Sequence, residues 1–436
     1  MTSTETPEVM LLRGRFRGLS DATRARITEY APTFLTEFTV VASQIVVYKL
    51  AAHFLGKEGF SEFAVARRAI STVYPVALLG FGVGLPRYIA ISAGQDLAER
   101  RDRFFGATLW CVGAVTAILL ALINLMPSRF AYLVYGSVSY EALAFPASLL
   151  IAGLILHAVV YSYFRGHLRM ARANWLQFAN LAAVPLLGFL GGPRDVGAFL
   201  ERIGLLSIFV SFIGLLLTPW QQIAANSLAE AKILLRYGVP RVPGDFALMA
   251  LLGLPTFLVA HQVSVQDAGY VAFSVSMLGI IAAVFAPIGL VLLPKASGLI
   301  ARGASEELWS HVSIVFQLAL IVSASLTLLT EMSAGSLVRV YLGRDFSEIS
   351  TTVRIIMLGA VPYAVYTALR SAIDARHFKA INTKNCVIAL ATLVSCSVLL
   401  FVLHDSSTVT LILPLPLSLL ILGTLTWREA RKIVRA

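Results

Sequence analysis

The chain has 436 residues, of which 58% are hydrophobic and only 14% are charged. A soluble domain carries roughly 25% charged residues, because its surface must stay in water. The net charge of +11 does not indicate nucleic-acid binding, since Lys and Arg fall in short clusters between apolar blocks. These blocks are about 20 residues long, which is the length of a membrane-spanning helix. The composition excludes a soluble protein and predicts an integral membrane protein.

Residues 1–30 are polar and basic and contain no apolar core of a signal peptide, so we expect a cytoplasmic tail. Apolar blocks that we predict to be spanning helices then follow in chain order: 32–54, 63–90, 104–126, 142–164, 174–190, 200–218, 240–260, 270–293, 309–330, 351–373, 386–403 and 408–427. Glycine and proline interrupt several of these blocks, as transmembrane helices tolerate when neighbouring helices satisfy the freed backbone groups. The predicted fold is an all-α polytopic membrane protein with 12 transmembrane helices.

Basic residues alternate between the predicted loops. The N-terminal tail, the C-terminal tail and every second loop hold 24 of the 35 Lys and Arg residues, and the opposite loops hold 9. Cytoplasmic loops are the ones enriched in Lys and Arg. We therefore predict a multi-pass protein of the inner (plasma) membrane with both termini in the cytoplasm.

The two halves of the chain match each other at an offset of about 208 residues. Ordered matches pair Pro32 with Pro240, Glu37 with Asp245, Phe38 with Phe246, His53 with His261, and Pro86 with Pro294. Six spans per half is an even number, so both halves enter the membrane from the same side and are related by an axis along the membrane normal. Parallel repeats of this kind are typical of transporters, although duplication also serves non-transporting bundles.

This repeat predicts the domain organisation. It comprises a cytoplasmic tail (1–30), an N-terminal six-helix lobe (31–218), a cytoplasmic linker (219–239), a C-terminal six-helix lobe (240–427) and a cytoplasmic tail (428–436). Transporters with such repeats rock two lobes around a central site, so we expect a site between these lobes.

Ionisable side chains within apolar spans are costly, so they usually face a cavity or a partner. Glu37 and Asp245 occupy equivalent positions in the first helix of each half. They are candidate ion-coupling carboxylates that bind H⁺ or Na⁺. The alternative is structural pairing, for Asp245 with Arg241, near the cytoplasmic surface.

Four basic residues of the first half are candidate substrate-binding groups. Lys49 lies near the outer end of span 1, and Arg67 and Arg68 begin span 2, across a short loop from Lys49. Adjacent helical residues point about 100° apart, so we expect one of the two arginines to face inward and offer a forked donor to a phosphate or acidic sugar. Arg87 closes span 2. The alternative for all four is anchoring to lipid headgroups.

Enzymatic activity is not predicted. The chain contains no G-x-x-x-x-G-K-[ST], HExxH or GxSxG motif, and its three cysteines form no metal-ligand pattern. We therefore expect no cofactor and no metal. His157 lies within span 4, where a hydrogen-bonded buried histidine is favoured over a proton relay.

Several short segments, in order, resemble the polysaccharide-export branch of the multidrug/oligosaccharidyl-lipid/polysaccharide (MOP) superfamily, the O-antigen (Wzx-type) flippases. They are Leu55-Gly56-Lys57-Glu58-Gly59-Phe60, Gly80-Phe81-Gly82-Val83-Gly84-Leu85-Pro86-Arg87, Leu234-Leu235-Arg236-Tyr237-Gly238-Val239-Pro240, Leu292-Leu293-Pro294-Lys295 and Tyr341-Leu342-Gly343-Arg344-Asp345-Phe346. The resemblance covers most of residues 30–380.

The resemblance implies two six-helix lobes that form a V around a central cavity, which opens alternately to each side of the membrane. It implies a flippase that moves an isoprenoid-pyrophosphate-linked glycan to the periplasmic leaflet for polysaccharide or lipopolysaccharide assembly, with membrane lipids and glycan-assembly proteins as partners. The drug-exporting multidrug and toxin extrusion (MATE) branch also has twelve spans and is the alternative. A cation-coupled exporter would depend on Glu37 and Asp245, whereas the flippase would depend on the arginines.

Overall fold

The computed structural model describes residues 7–94, 97–218, 220, 227–301, 304–376, 381–403 and 407–435. The side chains of residues 1–30, and so the basic groups of the predicted tail, lie outside the described residues. Residues 219 and 221–226 of the predicted linker lie outside them as well. The described chain is helical almost throughout, and the predicted all-α class is confirmed.

The first half contains eight helices, α1 to α8: Pro7–Ala77, Phe81–Gly94, Ala98–Leu125, Pro127–Tyr135, Ala144–Gly166, Met170–Gln177, Val184–Leu187 and Val196–Leu216. A 3₁₀ turn (Val138–Leu143) precedes α5, and a π-helical stretch (Phe178–Ala183) joins α6 to α7. Nine further helices, α9 to α17, follow: Leu228–Gly238, Val242–Gln262, Val265–Ala301, Ser305–Tyr341, Ile349–Met357, Ala360–Arg376, Ile381–Leu403, Thr408–Ile412 and Pro414–Arg435.

Nine helices within the described ranges are long and apolar enough to cross a membrane, or ten if the bent pair α13–α14 is one span. The chain is therefore a multi-pass membrane protein. The number differs from the twelve predicted blocks for a physical reason. The first two blocks run together in α1, the fifth is divided by the π-helical stretch after α6, and the tenth bends by 48° between α13 and α14.

Predicted spans 1 and 2 are joined by a single residue of non-helical backbone. Gly56 has φ 68° and ψ −170°, and the residues on both sides of it are helical. This backbone region is open almost only to glycine, because a Cβ would collide with the main chain. The prediction of a loop over residues 55–62 was therefore wrong in extent, since the helices continue up to Gly56 from both sides.

Two helices of the sequence halves cross in close contact. Ser61 and Arg68 in the part of α1 after Gly56 meet Gly269 and Ser276 of α11, and each pair is separated by 208 residues. A Cβ on Gly269 would collide with Ser61, so this glycine allows the close approach. Equivalent positions of the predicted repeat thus face each other, as parallel helices related by a two-fold axis along their length do.

The linker contains α9, which packs on α2 and α3. Its last residue, Gly238, is so close to Gly80 that a Cβ on Gly80 would lie 2.7 Å from the Gly238 carbonyl oxygen. Arg100 of α3 pairs with the buried carboxylate of Glu230 at 3.9 Å. The connection between the two halves is therefore packed against the first half.

Replacing Gly56 with alanine is expected to destabilise the protein by about 1–3 kcal/mol, because alanine cannot adopt this backbone conformation without strain. The apparent melting temperature of the purified protein in detergent measures the effect. Gly113→Ala is the matched control, since Gly113 lies within α3 with open space around its Cβ position. Equal melting temperatures for the two variants would contradict the assignment of strain to Gly56.

Candidate functional site

The helical bundle has two ends that carry different groups. We call the end with Gly56 and the α10–α11 turn at Val263–Ser264 the Gly56 end, and the end with α9 the linker end. Since α1 runs to Gly56 and then turns back, residues after Gly56 lie progressively nearer the linker end. The predicted site residues fall into separate groups along this axis.

Arg68 connects the two sequence halves near the Gly56 end. Its Nη2 atom donates hydrogen bonds to the carbonyl oxygen of Ala272 at 3.3 Å and to the hydroxyl of Ser276 at 3.1 Å, both on α11. Ser276 Oγ donates to the same Ala272 carbonyl at 2.8 Å and lies 2.8 Å from the hydroxyl of Tyr48. We call Tyr48, Arg68, Ala272 and Ser276, together with Arg67, the arginine seam.

Arg67 joins the seam through an aromatic ring. Its guanidinium carbon lies 5.0 Å from the centre of the Tyr48 ring, within the range of a cation–π interaction. Tyr48 also packs edge-on against Phe273 of α11, with ring centroids 5.2 Å apart. The two arginines thus approach the seam by different routes, and both are half-buried. The expectation that only one of them faces inward is too restrictive.

Arg67 and Arg68 contact neutral groups: a carbonyl, a hydroxyl and an aromatic ring. The ion pairs within 4.0 Å among described side chains join Arg100 to Glu230, Arg103 to Glu99 and Lys432 to Glu429, and none involves Arg67 or Arg68. Arg67 Nη1 and Arg68 Nε are shielded from solvent and have no hydrogen-bond partner among the described groups. A partly buried cation without a counter-charge is costly, so this site favours an anion.

Lys49 is not part of the seam. It is exposed, whereas its neighbour Tyr48 is only 4% exposed and faces the seam. The sequence predicts that Lys49 lies close to the arginines across a short loop. In the helix, however, Lys49 is rotated by about 100° from Tyr48 and does not face the seam. Its position agrees with contact to headgroups or solvent.

Glu37 belongs to a chain of polar side chains within the first half. Gln177 donates from Nε2 to Glu37 Oε1 at 3.2 Å, and the Oε1 atom of Gln177 lies 3.1 Å from Nε2 of His157. Gln177 Oε1 is an acceptor, so His157 carries its proton on Nε2. His157 is 5% exposed and stacks on Tyr161. Glu37 is thus a half-buried carboxylate with a defined neutral partner.

Asp245 has different surroundings from its repeat equivalent. It is exposed near the start of α10 and lies within electrostatic range of Arg370 and Arg241. Glu37 also has a cation within electrostatic range, Arg165. The two acids therefore differ in burial, since Asp245 is exposed and Glu37 is half-buried.

Arg87 lies at the linker end, where it holds α9 against α2. Its Nη1 donates to the hydroxyl of Tyr237 at 3.3 Å, and its guanidinium lies 5.0 Å from the centre of that ring. Arg241, which follows α9, approaches the same ring to 3.8 Å and donates to the Tyr237 carbonyl at 2.7 Å. The structure thus places Arg87 in a linker contact, away from the seam.

Sequence reasoning missed the partners of the predicted residues. Tyr48, Ala272, Ser276 and Gln177 are ordinary polar or small residues in apolar spans, and no motif marks them. A signal did exist for Ser276, because it lies 208 residues after Arg68, at the repeat offset. Equivalent residues beside a two-fold axis meet each other, so the offset itself could have paired them.

Gln177→Leu is expected to destabilise the protein by about 1–3 kcal/mol, because it leaves the Glu37 carboxylate and His157 Nε2 without their partner in a buried place. Thermal unfolding of the purified protein measures the change. Gln262→Leu serves as the control, since Gln262 is exposed at the end of α10. A Gln177 variant as stable as the control would show that the polar chain contributes nothing to folding.

No family profile matches the sequence, and no curated protein matches it. Solved structures do match the fold. A multidrug resistance MATE family transporter of the MOP superfamily in an inward-facing conformation aligns with a TM-score of 0.73 and 12% identity, over 92% of this chain and 94% of that chain. The lipid II flippase MurJ in an inward closed conformation aligns with a TM-score of 0.71 and 14% identity, over 94% and 90%.

A MATE family transporter of the MOP superfamily in an outward-facing conformation aligns less well, with a TM-score of 0.61 and 11% identity, over 93% of this chain and 96% of that chain. At these identities the comparisons establish the architecture. The chain shares the fold of MATE transporters and of a lipid II flippase.

Proposed function

We propose that this protein is a flippase of the MOP superfamily, of the Wzx type, that moves a polyprenyl-pyrophosphate-linked oligosaccharide across the inner membrane by alternating access. The observation that carries the proposal is the arginine seam. It holds two guanidinium groups between the sequence halves, and among the described side chains they have donors without a partner and no carboxylate within ion-pair distance. The fold shared with a lipid II flippase supports a lipid-linked substrate.

The chemistry of the seam fits a phosphate-bearing headgroup. A guanidinium presents its donors in a planar fork that matches phosphate oxygens, and hydrogen bonds between two charged groups are about twice as strong as neutral ones. Arg67 and Arg68 would bind the pyrophosphate while the polyprenyl tail stays in the bilayer. The sugar–pyrophosphate headgroup needs this protection, because bare charge in hydrocarbon is costly.

The movement would be a rocking of two lobes, residues 31–218 and 240–427, about a central cavity. The contacts of Ser61 with Gly269 and of Arg68 with Ser276 support an axis between the lobes, because both pairs are 208 residues apart. The distribution of Lys and Arg supports both termini, and so the linker end, in the cytoplasm. The Gly56 end then faces the periplasm. Transport needs no chemical step, so we propose no enzymatic role.

A second candidate function is a cation-coupled exporter of the MATE type, favoured by the polar chain of Glu37, Gln177 and His157. A half-buried carboxylate with a neutral hydrogen-bond partner can exchange a proton or hold Na⁺, and Arg165 lies within electrostatic range of this one. In the flippase the same group would couple glycan movement to an ion gradient. The two functions differ in which residues bind the cargo.

Arg67→Ala/Arg68→Met is expected to lower transport at least about tenfold, because each lost bond between charged groups weakens substrate binding by about 1.5–3 kcal/mol. The measurement is surface glycan in cells in which the variant is the only copy of the protein. Arg129→Ala is the matched control, since it removes an arginine that is exposed on α4. Full glycan display in the double variant, with normal protein levels, would refute the flippase assignment.

Glu37→Gln and Asp245→Asn separate the two candidate functions. If the protein exports cationic drugs, both variants lower drug resistance in expressing cells, and the arginine variant does not. If the protein is a flippase, drug resistance does not depend on any of these residues, and glycan display falls with the arginines. Drug sensitivity and glycan staining on the same strains give both readouts.

A further inference from the structure

Arg68 lies at the point where the repeats meet, and its equivalent position in the second half is Ser276. We propose that the bond between them is a lock that holds the Gly56 end closed, and that an anionic diphosphate headgroup opens this end by taking Arg68 from Ser276. The inference rests on the proposed function, and it adds the step by which cargo in the arginine seam controls the gate.

The hydroxyl of Ser276 is the centre of the lock. It has one proton, which it donates to the Ala272 carbonyl within its own helix at 2.8 Å. Its lone pairs then accept from Arg68 Nη2 at 3.1 Å and from the Tyr48 hydroxyl at 2.8 Å. Both donors come from α1, so this one hydroxyl ties both arms of the α1 hairpin to α11.

The lock is weak enough to be replaced by an anion. The acceptors of Arg68 are a neutral carbonyl and a neutral hydroxyl, at 3.3 and 3.1 Å. A phosphate oxygen forms shorter and stronger bonds with a guanidinium than either of these groups. Arg68 Nε and Arg67 Nη1 are shielded from solvent and have no hydrogen-bond partner among the described groups, so an anion that reaches the seam gains two further donors.

The consequence is a gate that recognises charge. Without an anion, the half-buried guanidinium gains most by bonding to α11, which keeps the halves together. With a diphosphate bound, Arg68 forms its hydrogen bonds with the phosphate oxygens and no longer with α11. The helices are then held at this crossing by the contact between Ser61 and Gly269 without the bond from Arg68. A ligand shifts such an equilibrium by its differential affinity for the two states, and here the open state leaves Arg68 free for the anion.

The test measures opening of the Gly56 end directly. The native cysteines Cys111, Cys386 and Cys396 are replaced by alanine, and Ser71→Cys is introduced three residues beyond Arg68, where the side chain is half-buried. A membrane-impermeant maleimide is added outside right-side-out vesicles. The labelling rate reports the open population, because Ser71 lies on the linker side of the lock.

Vesicles are prepared with farnesyl diphosphate enclosed, or with farnesol, which has the same apolar tail without the anion. We expect the diphosphate to raise the labelling rate about tenfold, since one hydrogen bond to a charged group changes an equilibrium by about that factor. Farnesol should leave the rate unchanged. Ser276→Ala should raise the rate without ligand, and Arg68→Met should raise it and abolish the response to the diphosphate.

Ser274→Ala is the control for a lost serine hydroxyl, because Ser274 bonds to the Tyr270 carbonyl within α11 and is fully buried. It should behave as the parent. A slow, parent-like rate in Arg68→Met, or a diphosphate response that persists in it, would overturn the lock.

Thermal stabilisation of the purified protein by farnesyl diphosphate separates this inference from the proposed function. If the diphosphate stabilises the parent but does not raise labelling, the anion site stands and the coupling to the gate is wrong. If it neither stabilises the parent nor raises labelling, both the coupling and the proposed substrate class are refuted.

Discussion

The crossing of α1 and α11 is the contact on which the arrangement of the two halves depends. Ser61 meets Gly269 and Arg68 meets Ser276, seven residues apart on each helix, so the same helical face is in contact over two turns. Gly269 lets the two helices approach closely at Ser61. Two turns further along, the side chain of Arg68 extends to Ser276 on the other helix. In a membrane, where lipid is as apolar as the helices, such packing and hydrogen bonds are what hold helices together.

A duplicated framework places equivalent residues in equivalent positions, but the surroundings of those residues have diverged. Arg68 faces Ser276 across the crossing, so a positive charge exists on one side only. Glu37 contacts a glutamine that leads to a buried histidine, whereas Asp245 is exposed near Arg370 and Arg241. Within the described part of the chain, the first half therefore holds two arginines without an ion-pair partner and the more buried of the two carboxylates.

The two ends of the bundle are held by different kinds of contact. At the Gly56 end, bonds from Arg68 and Tyr48 join the halves directly. At the linker end, Tyr237 lies between Arg87 and Arg241, and Gly80 packs on Gly238. The linker end is thus held through the connecting helix α9, whereas the Gly56 end is held by direct bonds between the halves.

The sequence by itself determined the membrane class and the helical fold, because apolar blocks of about 20 residues match helices that cross the bilayer and satisfy their own backbone hydrogen bonds. It also predicted the repeat offset. It also identified Arg67, Arg68 and Glu37 as unusual, since charge inside an apolar span needs a reason. Only the tertiary structure decided that Arg68 bonds to Ser276 while Lys49 turns outward. Which helical side chains face the protein interior depends on the helix that packs against them. For Arg68 the contacting residue of that helix is 208 residues away in the chain.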